Sequence, residues 1–164
     1  MVFNIVFVTD SHESFQSPKS MITVYQIEFA TPEYDESVAL RYEVLRKPLG
    51  LEYSPEQLSA EWSDIHLAAF DAWGKMIGIL LLSPLDKQEV KMRQVAVAPE
   101  QQGRGVGAAL VAASEEIARS LEFKKMTLHA REAAAPFYLR LGYQTVGDQF
   151  EEVSIPHFKM EKML

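Results

Sequence analysis

The sequence predicts a mixed α/β domain, and three observations carry that prediction. Apolar runs rich in β-branched and aromatic residues recur at 21–29, 65–71, 75–83, 89–97 and 125–130. Three of them, 65–71, 75–83 and 89–97, follow one another across short turns, the pattern of an antiparallel meander. After residue 97 the apolar period changes: Val106, Leu110, Ala113, Ile117 and Leu121 form a helical stripe. A meander feeding a β-α-β unit gives a mixed central sheet with a right-handed crossover and helices on its faces. With 164 residues the chain is long enough for one domain with a sizeable core.

The elements follow in order. "MVFNIVFVTD" is apolar but short, with no basic segment before it and no small-residue cleavage site, so it does not read as a signal peptide. "SHESFQSPKS" reads as a polar linker. Residues 1–20 are therefore an N-terminal extension, either loosely packed or an extra edge strand, and 21–164 the domain. "MITVYQIEF" is the first strand of that domain. Thr31 and Pro32 then start a helix, as N-cap and first helical residue. Tyr34, Val38, Arg41 or Tyr42, and Leu45 share its stripe. "PLGLEY" ends it, and Ser54 with Gln57 has capping-box spacing for a second helix. "AWG" at 72–74 is a hairpin signal between two of the meander strands. "KMTLHA" is a strand, "AAAPFYLRL" a short helix closed by Gly142, and "YQTV" and "PHFKMEKM" the last strands.

Composition narrows the function. A net charge of -7 argues against a nucleic-acid partner bound by phosphate neutralisation. It fits a cytoplasmic protein, and no run reaches the length of a membrane span. With no cysteine there is no thiol nucleophile and no thiolate metal site. His12, His66, His129 and His157 lack the spacing of a metal motif, so no metal is expected.

The densest motif is "VAVAPEQQGRGVGAAL", 95–110. Gly103, Gly105 and Ala108 formally satisfy the dinucleotide fingerprint G-x-G-x-x-A. Against it, "APEQQ" separates the strand from the first glycine, and "TLHAR" ends the next strand without an acidic residue. A Walker loop needs a lysine and a Ser or Thr that are missing. A third reading is a pyrophosphate cradle built from Gln102, Gly103, Arg104, Gly105, Val106 and Gly107 at the start of a helix. The first-turn N–H groups lack intrahelical partners, and the helix dipole is positive there. A flexible strand–helix junction is the simpler alternative, but it does not need three glycines in five residues.

This stretch resembles motif A of the GNAT acetyltransferase superfamily: a strand ending V-A-V, then Q/R-x-x-G-x-G/A, here Gln102, Gly105 and Gly107. "AAAPFYLRLGY", 133–143, is similar to the family's A-x-x-F-Y-x-x-x-G-F/Y segment. "RQVAV" and "GDQFEEVSIPHFKM" resemble a bacterial subgroup, the ElaA-like proteins. The resemblance covers most of 21–164 and implies the GNAT fold. It implies transfer of an acetyl group from acetyl-CoA to a primary amine of a small molecule or peptide, by direct attack in a ternary complex. An idle acyl-CoA-binding sensor and a transferase using another acyl-CoA are the alternatives. By resemblance, Val95, Ala96 and Val97 meet the pantetheine arm, the stretch Gln102–Ala108 holds the pyrophosphate, and Phe137 and Tyr138 also belong to the cofactor-binding residues. One departure is Glu122, where members often carry glycine.

The implied chemistry needs a base for the ammonium, a donor for the oxyanion and a proton for the leaving sulfur. Tyr138 matches the family position for the last role, although Phe137 is the better core candidate of the two and a buried aromatic is the plainer reading. Some members carry a glutamate base on the strand before the loop; here that strand offers Lys91, Arg93 and, near its start, Glu89. His129 and His157 are the base candidates, each equally readable as a structural histidine at a strand end. The segment 41–62 is expected to form the substrate-side lip, where Arg41 and Arg46 could meet an acidic group or simply be solvated. Exposed C-terminal strand edges allow a homodimer without requiring one.

Overall fold

A computed structural model describes residues 4–7 and 21–164. The fold is mixed α/β, as the sequence predicts, and the chain divides into two compact units. The first comprises Met1–Leu81 and Gln94–Ser114, the second Leu82–Arg93 and Glu115–Leu164.

In the first unit, β1 (Asn4–Phe7) pairs antiparallel with β2 (Ile22–Ile27), so this part of the N-terminal extension is an added edge strand. The linker reading of 11–20 lies outside the described residues. Next to β2 come β3 (Ile65–Phe70), β4 (Met76–Pro84) and the end of β5 (Glu89–Val97). Ile27, Ala68, Phe70, Met76, Ile79, Leu81 and Ala96 form its apolar core. The β3–β4 hairpin turns at Gly74, whose N–H donates to the Asp71 carbonyl at 3.0 Å.

Between β2 and β3 run α1 (Pro32–Arg41) and α2 (Pro55–Ser59). Thr31 caps α1 by accepting from the Tyr34 N–H at 3.3 Å, with Pro32 in the first turn. Ser54 and Gln57 close a reciprocal capping box on α2. The buried stripe of α1 is Tyr34, Ser37 and Arg41, one step round from the predicted Tyr34–Val38 line. Arg41 faces inward to pair with Glu61, and beyond it Tyr42–Arg46 is a π-helical turn. Leu40, Val44 and Leu45 then pack on the core from the side.

In the second unit the order is β4, β5, β6 (Lys125–Arg131), β9 (Ile155–Met163) and β7 (Gln144–Thr145), with β8 (Phe150–Glu152) also on β9. β6 runs parallel to β5 over Glu89–Met92, and antiparallel to β9. α3 (Val106–Ser120) starts in the first unit and ends in the second. Leu121 is 47% exposed rather than part of the core stripe, because the helix has already ended. There Glu122 takes the left-handed position (φ 68°), and the N–H of Phe123 reaches the Ala118 carbonyl at 3.0 Å. Phe123, not Leu121, is the residue buried at that turn. Glu115, nearly buried, then accepts from Tyr143 at 3.1 Å and from Lys162 at 2.9 Å, tying α3 to β9.

β8 is absent from the predicted element order. It joins β9 through a two-residue turn in which Val153 (φ 48°) and Ser154 (φ 61°) are both left-handed. Such turns normally advertise themselves by Asn-Gly or Asp-Gly, and "VS" carries no such signal.

Candidate active site

In the first unit the glycine loop is built by a strand that bends and a helix that starts late. Gln94 interrupts β5 with φ 53°, a local bulge. The Tyr53 hydroxyl donates to its side-chain carbonyl at 2.7 Å. Beyond the bulge Ala96 is buried in the core, while Val95 and Val97 stay half-buried. The Ala98 N–H donates to the Ile77 carbonyl at 2.9 Å, fixing where the strand stops. A short turn, Pro99–Gln101, follows. The side-chain amide of Gln102 then donates back to the Val97 carbonyl at 3.1 Å. That bond ties the loop to the strand end and gives the motif glutamine a structural task.

Gly103 (φ 74°) and Gly105 (φ 85°) are both left-handed, a region that costs other residues about 1–2 kcal/mol. A Cβ on either would meet nothing within 4 Å, so the loop is open above them. Arg104 between them is exposed. α3 opens at Val106, and its first helical bond runs from the Ala109 N–H to the Gly105 carbonyl at 3.0 Å. The N–H groups of Val106, Gly107 and Ala108 therefore have no partner within the helix. Unpaired amides, a positive helix end and open space together form a cradle for an anion.

The lip segment holds one clear correction. Arg41 is fully buried and forms a two-bond pair with Glu61, at 2.8 and 3.0 Å. Glu61 also accepts from the Tyr34 hydroxyl at 2.9 Å. Arg41 thus holds the segment together and cannot meet a substrate; a lone charge would not be buried without its partner. Arg46 is half-buried, its guanidinium 4.6 Å over the Tyr53 ring.

In the second unit Tyr138 sits on α4 (Ala135–Arg140). Gly142 (φ 90°) closes this helix, and the Tyr143 N–H donates to the Tyr138 carbonyl at 3.0 Å. The Tyr143 ring packs edge-on against Tyr138 with centroids 5.8 Å apart. The predicted core ranking reverses here: Tyr138 is buried and Phe137 half-buried. The reason is the helix closure, which turns Tyr138 toward Tyr143. Burial pushes the Tyr138 phenol up to about 12. The group is therefore protonated, a loaded donor, at neutral pH.

The same unit brings His129 and His157 together. His129 on β6 and His157 on β9 both face Glu152 of β8, at 3.4 Å and 3.8 Å. Lys91 on β5 reaches the His129 ring at 3.3 Å. Phe150 packs edge-on against His129 with centroids 4.8 Å apart. Burial lowers the pKa of His129, and the Lys91 charge lowers it further. Glu89, a carboxylate on the strand before the loop, is held by Lys125 at 2.7 Å, which keeps its pKa below the ordinary range. Arg93 approaches Ser83 at 3.3 Å. Glu152 went unnoticed in the sequence because the strand carrying it did. Among the described residues no group of three or more His, Asp or Glu is placed to hold a metal ion. No helix among them is long and apolar enough to cross a membrane.

Comparison with known proteins decides the family, since the model of the acetyltransferase (GNAT) domain matches residues 35–164. The chain belongs to the GNAT acetyltransferase family. A UPF0039 protein of Schizosaccharomyces pombe is 32% identical over 98 residues, 58% of this chain and 65% of its own length. The chain spans 49% of each of two Bacillus subtilis relatives. Among solved structures, Escherichia coli ElaA superposes with a TM-score of 0.71 at 20% identity, covering 87% of this chain and 99% of that one. A GNAT family acetyltransferase of Elizabethkingia anophelis, with acetyl-CoA bound, gives 0.67 at 20% identity, covering 87% and 98%. These two structures share the GNAT fold with this chain.

Proposed function

We propose that this chain is an acetyl-CoA-dependent N-acetyltransferase acting on a primary amine. One observation carries the donor assignment: the open loop of Gly103 and Gly105 ahead of three unpaired N–H groups at the start of α3. A pyrophosphate fits that chemistry, since it offers several acceptor oxygens and negative charge to amides and a positive helix end. The N–H groups from Gln102 to Ala108 hold it, with Arg104 at the rim. Val95 and Val97 offer backbone groups to the pantetheine arm, with Ala96 locking the strand on the core between them. Acetyl-CoA supplies an acetyl group activated as a thioester. Tyr138 donates its hydroxyl proton toward the leaving sulfur, and a histidine, His129 or His157, accepts a proton from the acceptor.

The test uses the whole chain. Acetyl-CoA, succinyl-CoA and CoA are compared for their effect on the melting temperature. Thiol release is then followed with n-butylamine, tyramine and spermidine as acceptors. Acetyl-CoA stabilises the protein, and at least one amine triggers release. Tyr138→Phe lowers turnover about 10- to 100-fold, the value of one hydrogen bond to a charged group. It leaves the acetyl-CoA stabilisation intact. Stabilisation without release by any amine means a CoA-binding sensor instead; preference for succinyl-CoA means another acyl donor.

A further inference from the structure

Four charged or titratable side chains converge in the second unit from four different strands. Lys91 comes from β5, His129 from β6, Glu152 from β8 and His157 from β9. The His157 Nδ1–H donates to the Ile155 carbonyl at 2.8 Å, which leaves its Nε2 facing the Glu152 carboxylate. The same carboxylate oxygen lies 3.4 Å from Nδ1 of His129, and Lys91 Nζ lies 3.3 Å from Nδ1 and 3.4 Å from Nε2 of that ring. Access separates the two imidazoles: the His157 side chain is 7% exposed and that of His129 is 29% exposed. Only His129 is open enough to touch an acceptor.

The device that delivers Glu152 is itself unusual. Glu152 is the last residue before the Val153–Ser154 turn, where a β-branched valine sits in the left-handed region. Its register against Ile155 sets the carboxylate between the histidines.

Resting on the acyltransferase reading, we propose that His129 is the base that deprotonates the acceptor ammonium and that Glu152 is its positioning residue. Glu152 faces Nδ1 of His129 and stabilises the imidazolium that forms. In the reaction the ammonium gives one proton to the unprotonated ring nitrogen of His129. The amine nitrogen then bonds to the acyl carbon as the carbon–sulfur bond breaks. The nitrogen loses a second proton as the amide forms. One of the two protons ends on the thiol and the other in solvent, so the balance closes.

The charges around His129 act in opposite directions. Lys91 opposes protonation directly; Glu152 favours it; His157 opposes it when charged. Arg93 and Lys159 act on Lys91, whose own pKa burial lowers. A neutral imidazole at pH 7 is ready to accept a proton, as a base must be.

The opposed signs give the test. The His129 titration is followed by NMR on the whole ligand-free chain, and kcat/KM against pH is measured with acetyl-CoA and the best of the three amines. Glu152→Gln removes the favourable charge, so the His129 midpoint and the acidic limb of kcat/KM both move to lower pH. Lys91→Met removes the unfavourable charge, so both move to higher pH. His129→Gln abolishes the limb and lowers kcat/KM by about 100-fold or more. Acetyl-CoA still raises the melting temperature of all three variants. A packing role for Glu152 would not move the two variants in opposite directions. Midpoints that stay put in both, or an acidic limb that disappears with His157→Gln and survives His129→Gln, overturns the proposal. Absence of donor binding and thiol release in the unmodified chain overturns the acyltransferase reading itself, and the two failures are told apart by that control.

Discussion

Gly78 on β4 is the position where the fold and the donor loop are most tightly joined. A Cβ there would lie 2.8 Å from Leu110 Cδ1, 2.9 Å from Val106 Cγ1 and 3.4 Å from the Ala96 carbonyl oxygen. Carbon atoms prefer separations of about 3.5–4.0 Å, so Gly78→Ala overlaps two α3 side chains by more than half an ångström. The Leu110 methyl can rotate away. The Val106 methyl cannot do so cheaply, because its β-branched side chain has one favoured rotamer in a helix. Overpacking of this kind costs about 1–3 kcal/mol. Removing a glycine from a strand returns about 0.5–1 kcal/mol. The net loss is about 1–2 kcal/mol, a fall in melting temperature of roughly 3–6 °C for a chain of this size. Val106 is also the first residue of α3, so the displacement falls on the turn that carries the unpaired amides. The acetyl-CoA stabilisation therefore shrinks as well. Both effects are read by thermal melting with and without acetyl-CoA. Val106→Ala in the Gly78→Ala background removes the stiff methyl and recovers part of the stability. An unchanged melting temperature in Gly78→Ala, or a double variant less stable than the sum of the singles, refutes the steric argument.

Two further expectations concern the buried network of the first unit. Arg41→Met strands the Glu61 carboxylate and costs about 3–5 kcal/mol, whereas Arg41→Met with Glu61→Gln recovers much of it, by urea unfolding. His66 donates from Nε2 to the Glu61 carbonyl at 3.0 Å, while its Nδ1 is buried without a partner. Burial lowers its pKa from 6.5, so below that pH the unfolded chain binds more protons than the folded one. Stability is therefore complete above about pH 6.5 and falls as pH drops below it, toward the folded-state pKa. His66→Gln flattens that part of the urea-midpoint profile.

The strands, helix starts and hairpins that the sequence announces are those whose signals are local. Thr31–Pro32, Ser54–Gln57, Gly74 and Gly142 each specify a cap or turn by their own chemistry, and each does so in the structure. The misread features depend on residues far away. The α1 stripe turns inward on Arg41, which is buried against Glu61, twenty residues on. Arginine on a helix face normally reads as solvated, and no spacing rule pairs it with that carboxylate. Gln94 and Val153 take left-handed backbone without glycine, so the bulge in β5 and the β8–β9 turn leave no mark in the sequence.

The same division separates the two halves of the proposed chemistry. The donor loop is contiguous, from Val95 to Ala108, and its demands on backbone are written as glycines. A motif can encode it, because the ligand is met by main-chain groups whose placement needs only a bend and a helix start. The acceptor side needs a proton taken up at one atom, and that is a matter of side chains. Here those side chains come from Lys91, His129, Glu152 and His157, spread over 67 positions and four strands. Their grouping depends on the register of β6 and β8 on β9. Arg131 pairs with His157 in one ladder, and Phe150 pairs with the same His157 in the other. A slip of one residue in either ladder would turn the carboxylate or the imidazole to the opposite face. The proposed base is thus specified by strand register rather than by a motif. An acyltransferase can therefore keep its donor loop recognisable while its acceptor chemistry changes beyond reading from the sequence.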